Sequence, residues 1–129
     1  MTVISSRRLD SALRACASGI HPLEAGTGLL VDCGSWLHRK DFTSRFITVS
    51  TSISDGATLM ASTDWEAAIA ALNAGQLPSS SGERRVLLLA ASIASGIPVS
   101  LYDTLPGIDQ RNASLVIKAI AHATGHKHS

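Results

Sequence analysis

The stretch Ser80–Gly96, which reads SSGERRVLLLAASIASG, decides the fold of this chain. Ser80 and Glu83 have the spacing of a capping box, in which each side chain accepts a hydrogen bond from the other residue's backbone N–H at the start of a helix. Residues 86–91 are apolar on every side of that helix, and a helix that is apolar all round is typically buried. We therefore predict a central, buried helix over residues 80–95.

Four further segments carry apolar residues at the spacing of one helical face. Their ends show capping side chains, a proline at the first helical position or a glycine just beyond the last turn. In the segment 22–37, Gly26 and Gly34 fall on nearly one helical face, which predicts a close backbone approach to the helix over residues 6–18. We predict helices over residues 6–18, 22–37, 63–75 and 109–125, and a single helical turn over residues 100–105.

The pattern changes between residues 45 and 62, where β-branched residues replace the helical spacing. Residues 46–53 and 58–60 form two such runs. Asp55-Gly56 lies between them, and this pair supplies the positive φ angles of a two-residue turn. We predict a β-hairpin over residues 45–62. The predicted fold class is α+β and predominantly helical, with about five helices around the central one. The alternative is an all-α domain in which residues 46–61 form a long loop.

Length and composition predict one globular domain. The chain has 129 residues, of which 45% are apolar and 16% charged, and domains of about 100–150 residues typically form a single hydrophobic core. We assign residues 1–129 to one domain, with residues 126–129 as a frayed tail. The 11 basic and 10 acidic residues leave no strong basic excess of the kind that phosphate-binding proteins carry.

The chain carries no sign of export or membrane insertion. Residues 1–10 lack the apolar core of a signal peptide, and the longest apolar stretch, residues 86–94, is shorter than the ~18 residues that a membrane span needs. The two cysteines, Cys16 and Cys33, are too few for a disulfide scaffold and are expected to be reduced and buried. We expect a cytoplasmic protein with no membrane partner.

Two clusters of basic residues are the candidate nucleic-acid contacts. The first lies beside Trp36 and Phe42, and aromatic rings next to cations can stack on bases and hold phosphates. The second lies at the start of the central helix, where a helix N-terminus weakly favours anions. We favour a solvated connector whose aromatic side chains anchor in the core, since one short basic cluster rarely gives enough affinity. The candidate residues are His38, Arg39, Lys40, Arg45, Arg84 and Arg85.

Three histidines near the C-terminus are the candidate metal ligands. His122 and His126 are four residues apart, a spacing at which two imidazoles on one helical face can share a metal ion, and His128 follows them. No cysteine or carboxylate lies nearby in the sequence, Gly125 is expected to end the helix, and structural zinc usually has four ligands. We therefore expect no bound metal and no cofactor, with adventitious Zn²⁺ or Ni²⁺ binding instead.

The sequence contains no catalytic motif, and this sets the order of three functional hypotheses. The first is a non-enzymatic interaction or accessory protein that acts through a protein surface. The second is a small DNA-binding regulator that uses the two basic clusters. The third is an enzyme whose residues are dispersed along the chain, and a pocket lined by two or more of them would support it. The candidates for this role are His38, Asp41, Asp64 and His122.

The low fraction of charged residues predicts self-association as a homodimer. Charged residues make up 16% of the chain, against roughly 25% in a typical soluble domain, so part of the surface has to be apolar or small and neutral. The hairpin also offers an unpaired strand edge, with only Arg45 near its start as a blocking charge. We expect a two-fold dimer, joined through the hairpin or through small-residue helix faces such as residues 12–16 and 26–34.

Residues 77–125 resemble small uncharacterised proteins of high-GC Gram-positive bacteria. The likeness lies in Leu77-Pro78-Ser79-Ser80-Ser81-Gly82-Glu83 and in the stretch 105–125. Trp36-Leu37-His38-Arg39 and Asp64-Trp65-Glu66-Ala67-Ala68 also have counterparts in those proteins. The resemblance implies a bacterial source, but it implies no activity and no catalytic residue.

Overall fold

The computed structural model describes residues 5–51 and 58–126. Within them the chain forms seven helices and two strands, a predominantly helical α+β fold as predicted. None of the described helices is both long enough and apolar enough to cross a membrane. In chain order the elements are α1 (Ser6–Ala17), α2 (His21–Cys33), α3 (Lys40–Phe46), β1 (Ile47–Thr51), β2 (Leu59–Thr63), α4 (Trp65–Asn73), α5 (Ser81–Ser95), α6 (Leu101–Thr104) and α7 (Gln110–Ala123).

Helix α5 is the central buried helix that the sequence predicted. Its capping box is formed: the Ser80 hydroxyl accepts from the Glu83 N–H at 3.1 Å, and the Glu83 carboxylate accepts from the Ser80 N–H at 2.9 Å. Five of the six residues from 86 to 91 are buried. Gly96 ends the helix with a φ of 74°, a conformation that favours glycine. Helices α2, α4 and α7 pack around α5.

Gly26 allows α2 and α5 to pack at close range. A Cβ atom at this position would lie 2.6 Å from the Ala90 carbonyl oxygen and would also overlap the Cβ of Ala94. A larger side chain would therefore force the two helices apart. The sequence predicted a close approach at Gly26 but assigned it to the first helix, whereas the partner is α5. Gly34 takes no part in this contact, because α2 ends at Cys33 and not at residue 37.

The segment between α2 and β1 anchors in the core through its aromatic side chains, as predicted. Trp36 and Phe42 are fully buried, and their ring centroids lie 5.3 Å apart. The Trp36 indole N–H donates to the Glu83 carbonyl oxygen at 2.9 Å, which ties the segment to the first turn of α5. Residues 40–46 form helix α3, where the sequence predicted a connector followed by the start of a strand.

Strands β1 and β2 pair antiparallel in a register that places Ile47 opposite Thr63. This pairing confirms the two predicted strands and rules out the all-α alternative. The first strand begins two residues later than predicted, because the buried Phe46 belongs to α3. Strand β2 packs against α1, whereas residues 48–51 of β1 are exposed. The predicted turn at Asp55-Gly56 lies outside the described residues.

Helix α4 has a different cap from the one predicted. Thr63, the expected capping residue, is the last residue of β2. The Asp64 side chain accepts a hydrogen bond from the Ala67 N–H at 3.1 Å instead. Thr63 and Asp64 are both suitable capping residues. Because Thr63 pairs in the sheet, Asp64 caps the helix.

Helix α7 leaves part of its apolar surface uncovered. It begins after its predicted cap, Asp109, and buries Val116 and Ala119. Ile120, which the sequence placed in the buried stripe, is 49% exposed, and Ile117 is 58% exposed. These two isoleucines are three residues apart and therefore lie on one face of the helix.

Both cysteines are free thiols, but they differ in burial. Cys33 is buried as predicted, its thiol donates to the Leu30 carbonyl oxygen at 3.2 Å, and burial raises its pKa above the ordinary value. Cys16, also expected to be buried, is only half-buried. A reactive thiolate needs a lowered pKa, so the raised pKa of Cys33 is that of an unreactive, structural thiol.

Candidate functional site

A groove between α1, α2 and α7 collects charged side chains from three helices. Its walls include Arg14 from α1, Glu24 and Asp32 from α2, and Lys118 and His122 from α7. The two acidic residues are eight positions apart on α2, which separates them by about 12 Å along the helix axis. They therefore define two ends of the groove.

Asp32 joins three helices at one end of the groove. Its carboxylate accepts from Arg14 at 2.9 Å and lies 3.6 Å from the Lys118 ammonium group. Its backbone carbonyl accepts from Arg111 at 3.0 Å. The Arg14 and Lys118 side chains are 50% and 59% exposed, so water screens these ion pairs. The Asp32 carboxylate and carbonyl oxygen thus link side chains of α1 and α7 to α2 at this end of the groove.

Glu24 organises the other end of the groove. One of its carboxylate oxygens lies 2.9 Å from His122 Nε2 and 3.5 Å from His21 Nδ1, and the other accepts from the Gly19 N–H at 2.9 Å. The hydrogen bond with His122 and the one from Gly19 hold the pKa of Glu24 below its usual value. One potential ligand atom of each of the three side chains lies within 4.8 Å of the other two. We call this the His21–Glu24–His122 cluster.

The structure gives His122 different neighbours from the two histidines proposed as its partners. Helix α7 ends before His126, whose Nδ1 lies 3.0 Å from the Thr124 hydroxyl. His126 still lines the cleft beside the cluster, whereas His128 lies outside the described residues. Glu24, 98 residues away, supplies the carboxylate that the sequence lacks near His122.

Three of the six predicted nucleic-acid residues contact one segment, residues 72–78, at the end of α4 and beyond it. Arg39, Arg45 and Arg84 donate hydrogen bonds to this segment at 2.7, 2.9 and 3.3 Å respectively. They satisfy acceptors in the last turn of α4 and in the following loop. Arg39 and Arg45 also lie over aromatic rings, 4.6 and 4.8 Å from the ring centroids. These guanidinium groups therefore fix the connection between α4 and α5.

The other three predicted residues are placed differently. His38 and Lys40 are exposed. Arg85 donates to the Ser81 hydroxyl at 3.2 Å, one turn earlier in its own helix, and lies against Gly107. Of the six candidates, the structure brings Arg39, Arg45 and Arg84 together on one segment.

The four residues considered for an enzyme have separate roles. Asp41 pairs with Arg39, and this hydrogen-bonded ion pair lowers the pKa of the Asp41 carboxyl. Asp64 caps α4, His122 belongs to the cluster with Glu24, and His38 is exposed. Each of five clefts formed by the described residues is lined by at most one of the four candidates. None of these five clefts is therefore lined by two or more of the candidates, which is the arrangement that would support an enzyme.

His21, Glu24 and Asp32 are candidate functional-site residues that the sequence did not predict. The first two are three residues apart on α2, so they share a helical face, and that spacing was a usable signal. Their meeting with His122 depends on the antiparallel packing of α7 against α2, which no local pattern predicts.

No protein-family model matches this chain, and neither a curated protein nor a solved structure matches it.

Proposed function

We propose that this protein is a non-enzymatic interaction protein that works as a homodimer. The observation that carries this proposal is a concentration of exposed large apolar side chains on α6 and α7 and directly after α6. Five of the seven such side chains among the described residues lie between positions 101 and 120. They are Leu101, Tyr102 and Leu105 at α6 and Ile117 and Ile120 on α7. We propose that the two groups form one binding surface, which we call the α6–α7 surface.

Tyr102 is the centre of this proposal. It is the only tyrosine in the chain and is 89% exposed. The helix that presents it is capped, since the Ser100 hydroxyl accepts from the Asp103 N–H at 3.3 Å. Tyrosine combines a large apolar ring with a polar hydroxyl and is enriched among the residues that dominate binding energy at interfaces. Concentrated exposed apolar area is a usual mark of an interface.

The proposed partner is a second copy of the chain. The five side chains are uncharged, so they can meet their copies across a two-fold axis without repulsion between like charges. The small-residue faces considered from the sequence are used inside the chain: Gly26 packs against α5, and Ala12 is 2% exposed. They are therefore poor candidates for a dimer interface.

The edge of β1 is a second surface on which copies could pair. Residues 48–51 are exposed and uncharged, and the described residues form a sheet of only two strands. Arg45, expected to block this edge, lies in α3 and donates to Gln76. An uncharged open edge can accept another strand. Val49 is its one large exposed apolar side chain, so the α6–α7 surface is the stronger candidate.

Light scattering coupled to size exclusion tests the proposal. We expect the chain, at tens of micromolar, to have twice the 13.5 kDa mass of one copy. Tyr102→Ser combined with Ile117→Ser is expected to give the single-chain mass, while the matched control Val49→Lys on the β1 edge remains dimeric. If Val49→Lys alone gives the single-chain mass, the dimer interface lies at the β1 edge and not at the α6–α7 surface. A single-chain mass for the unmodified protein would contradict the homodimer.

A small DNA-binding regulator is the second candidate, and the convergence of Arg39, Arg45 and Arg84 on residues 72–78 favours it. Each guanidinium has five N–H donors, more than its contacts within the chain use. A gel shift with random duplex DNA tests this function. Non-specific binding with a Kd of about 10⁻⁴–10⁻⁶ M at physiological salt would support it, and no shift at low salt with micromolar protein would exclude it.

A further inference from the structure

The donors of the His21–Glu24–His122 cluster are those that zinc takes in proteins, two imidazole nitrogens and a carboxylate oxygen. We propose that this cluster binds one divalent ion of the zinc class. One ligand atom of each side chain already lies within 4.8 Å of the other two. Ligands about 2.1 Å from a tetrahedral ion are about 3.4 Å apart. Side-chain rotations that move these atoms by about 1 Å therefore complete the site.

The fold positions the carboxylate for this role. Glu24 lies one turn after His21 in the first turns of α2, and its second oxygen accepts from the Gly19 N–H at 2.9 Å. A backbone hydrogen bond of this kind orients a carboxylate ligand and is a common feature around metal ions. The oxygen that remains faces both imidazoles, at 2.9 Å from His122 and 3.5 Å from His21.

The third ligand, His122, comes from a different helix, so the ion would join the start of α2 to the end of α7. His122 lies in the last turn of α7, and its ring meets that of His21 edge to face, with centroids 6.2 Å apart. The two histidine side chains are 45% and 60% exposed, which gives an ion access from solvent. Because the ion would link α2 to α7 in the folded state only, binding is expected to raise the unfolding temperature.

Three protein ligands leave a fourth position open to water. His126 lines the same cleft and is close enough in the chain to require its own control. This proposal replaces the expectation that no metal binds, which considered His122 with His126 and His128 alone. It does not depend on the chain being a dimer.

Calorimetric titration of the untagged full chain with Zn²⁺ alone tests the site. We expect one Zn²⁺ per chain. His21→Gln and Glu24→Gln should each weaken binding at least about tenfold. The matched control His38→Gln removes an exposed histidine beyond the opposite end of α2, a helix about 20 Å long, and should leave the affinity unchanged. At one fixed concentration, Zn²⁺ should raise the unfolding temperature of the unmodified chain and of the control by more than that of the two cluster variants.

A double variant, His126→Gln with His128→Gln, separates this site from adventitious binding at the C-terminus. The proposal requires the double variant to bind one Zn²⁺ per chain. It is overturned if the unmodified chain does not bind stoichiometrically, or if the double variant loses binding while His21→Gln retains it. The His21 side chain is 60% exposed, so His21→Gln is expected to fold, with circular dichroism as the check. If Glu24→Gln does not fold, His21→Gln alone tests whether the cluster binds Zn²⁺.

Discussion

Helix α2 has two unlike sides. On the side facing α5, Gly26 brings two backbones so close that a Cβ atom has no space. On the side facing α7, partly exposed polar and charged side chains meet, with Glu24 beside His122 and Asp32 beside Lys118. Close packing holds the first interface and tolerates little change in volume, whereas water screens the ion pairs of the second. Substitutions on the α5 side should therefore alter stability, and those on the α7 side should alter charge and binding.

The largest effect is expected from one methyl group added on the α5 side. Gly26→Ala should lower the free energy of unfolding by about 1–3 kcal/mol, the typical result of overpacking a core, since the new Cβ would lie 2.6 Å from the Ala90 carbonyl oxygen. The loss should exceed what alanine gains in helix propensity. Chemical denaturation measures the change, and a variant as stable as the unmodified chain would show that α2 and α5 can separate at little cost.

The same substitution two residues later should have the opposite sign. At Gly28 the nearest atom to a new Cβ is Arg14 Nη1, at 3.6 Å, which is an ordinary contact distance. Gly28→Ala should therefore raise the free energy of unfolding by about 1 kcal/mol, the difference in helix propensity between the two residues. The same denaturation experiment serves as its measurement. Destabilisation by both variants would remove the contrast between the two sides of α2.

A smaller and salt-sensitive effect is expected at the Asp32 end of the groove. Asp32→Asn removes the carboxylate charge that faces Arg14 and Lys118. Because both cations are at least half exposed, the free energy of unfolding should fall by less than about 1 kcal/mol. The difference should disappear in about 1 M salt, where the Debye length is about 3 Å. A loss that persists in high salt would mean that packing, and not charge, holds this end.

The smallest effect should appear as a pH dependence at Glu24. The pKa of Glu24 is lower in the folded chain than in the unfolded chain, chiefly because its carboxylate is hydrogen-bonded to His122. Its contribution to stability is therefore present above the ordinary glutamate pKa and is lost as the pH falls through the lowered value. The stability difference between the unmodified chain and Glu24→Gln should shrink as the pH falls from the ordinary glutamate pKa of 4.5 through the lowered value. A difference that is constant over this range would contradict the assignment.

Local signals in the sequence determined most of the helices. The Ser80–Glu83 capping box, the Asp109 cap and the apolar run at residues 86–91 all appear in the structure as predicted. These features depend on residues within a turn or two of each other, so the sequence contains all their partners. Local signals were less reliable at boundaries: at Phe46, burial against Phe42 extended a helix into a predicted strand.

Only the tertiary structure decided which distant residues meet. The sequence signalled a close approach at Gly26 but not that α5 would be its partner, and it presented Arg39, Arg45 and Arg84 as surface cations although they hold the segment after α4. The His21–Glu24–His122 cluster joins side chains up to 101 positions apart. The physical reason is common to all three. Helix formation is governed by neighbours along the chain, whereas the meeting of helices depends on how all their faces pack at once.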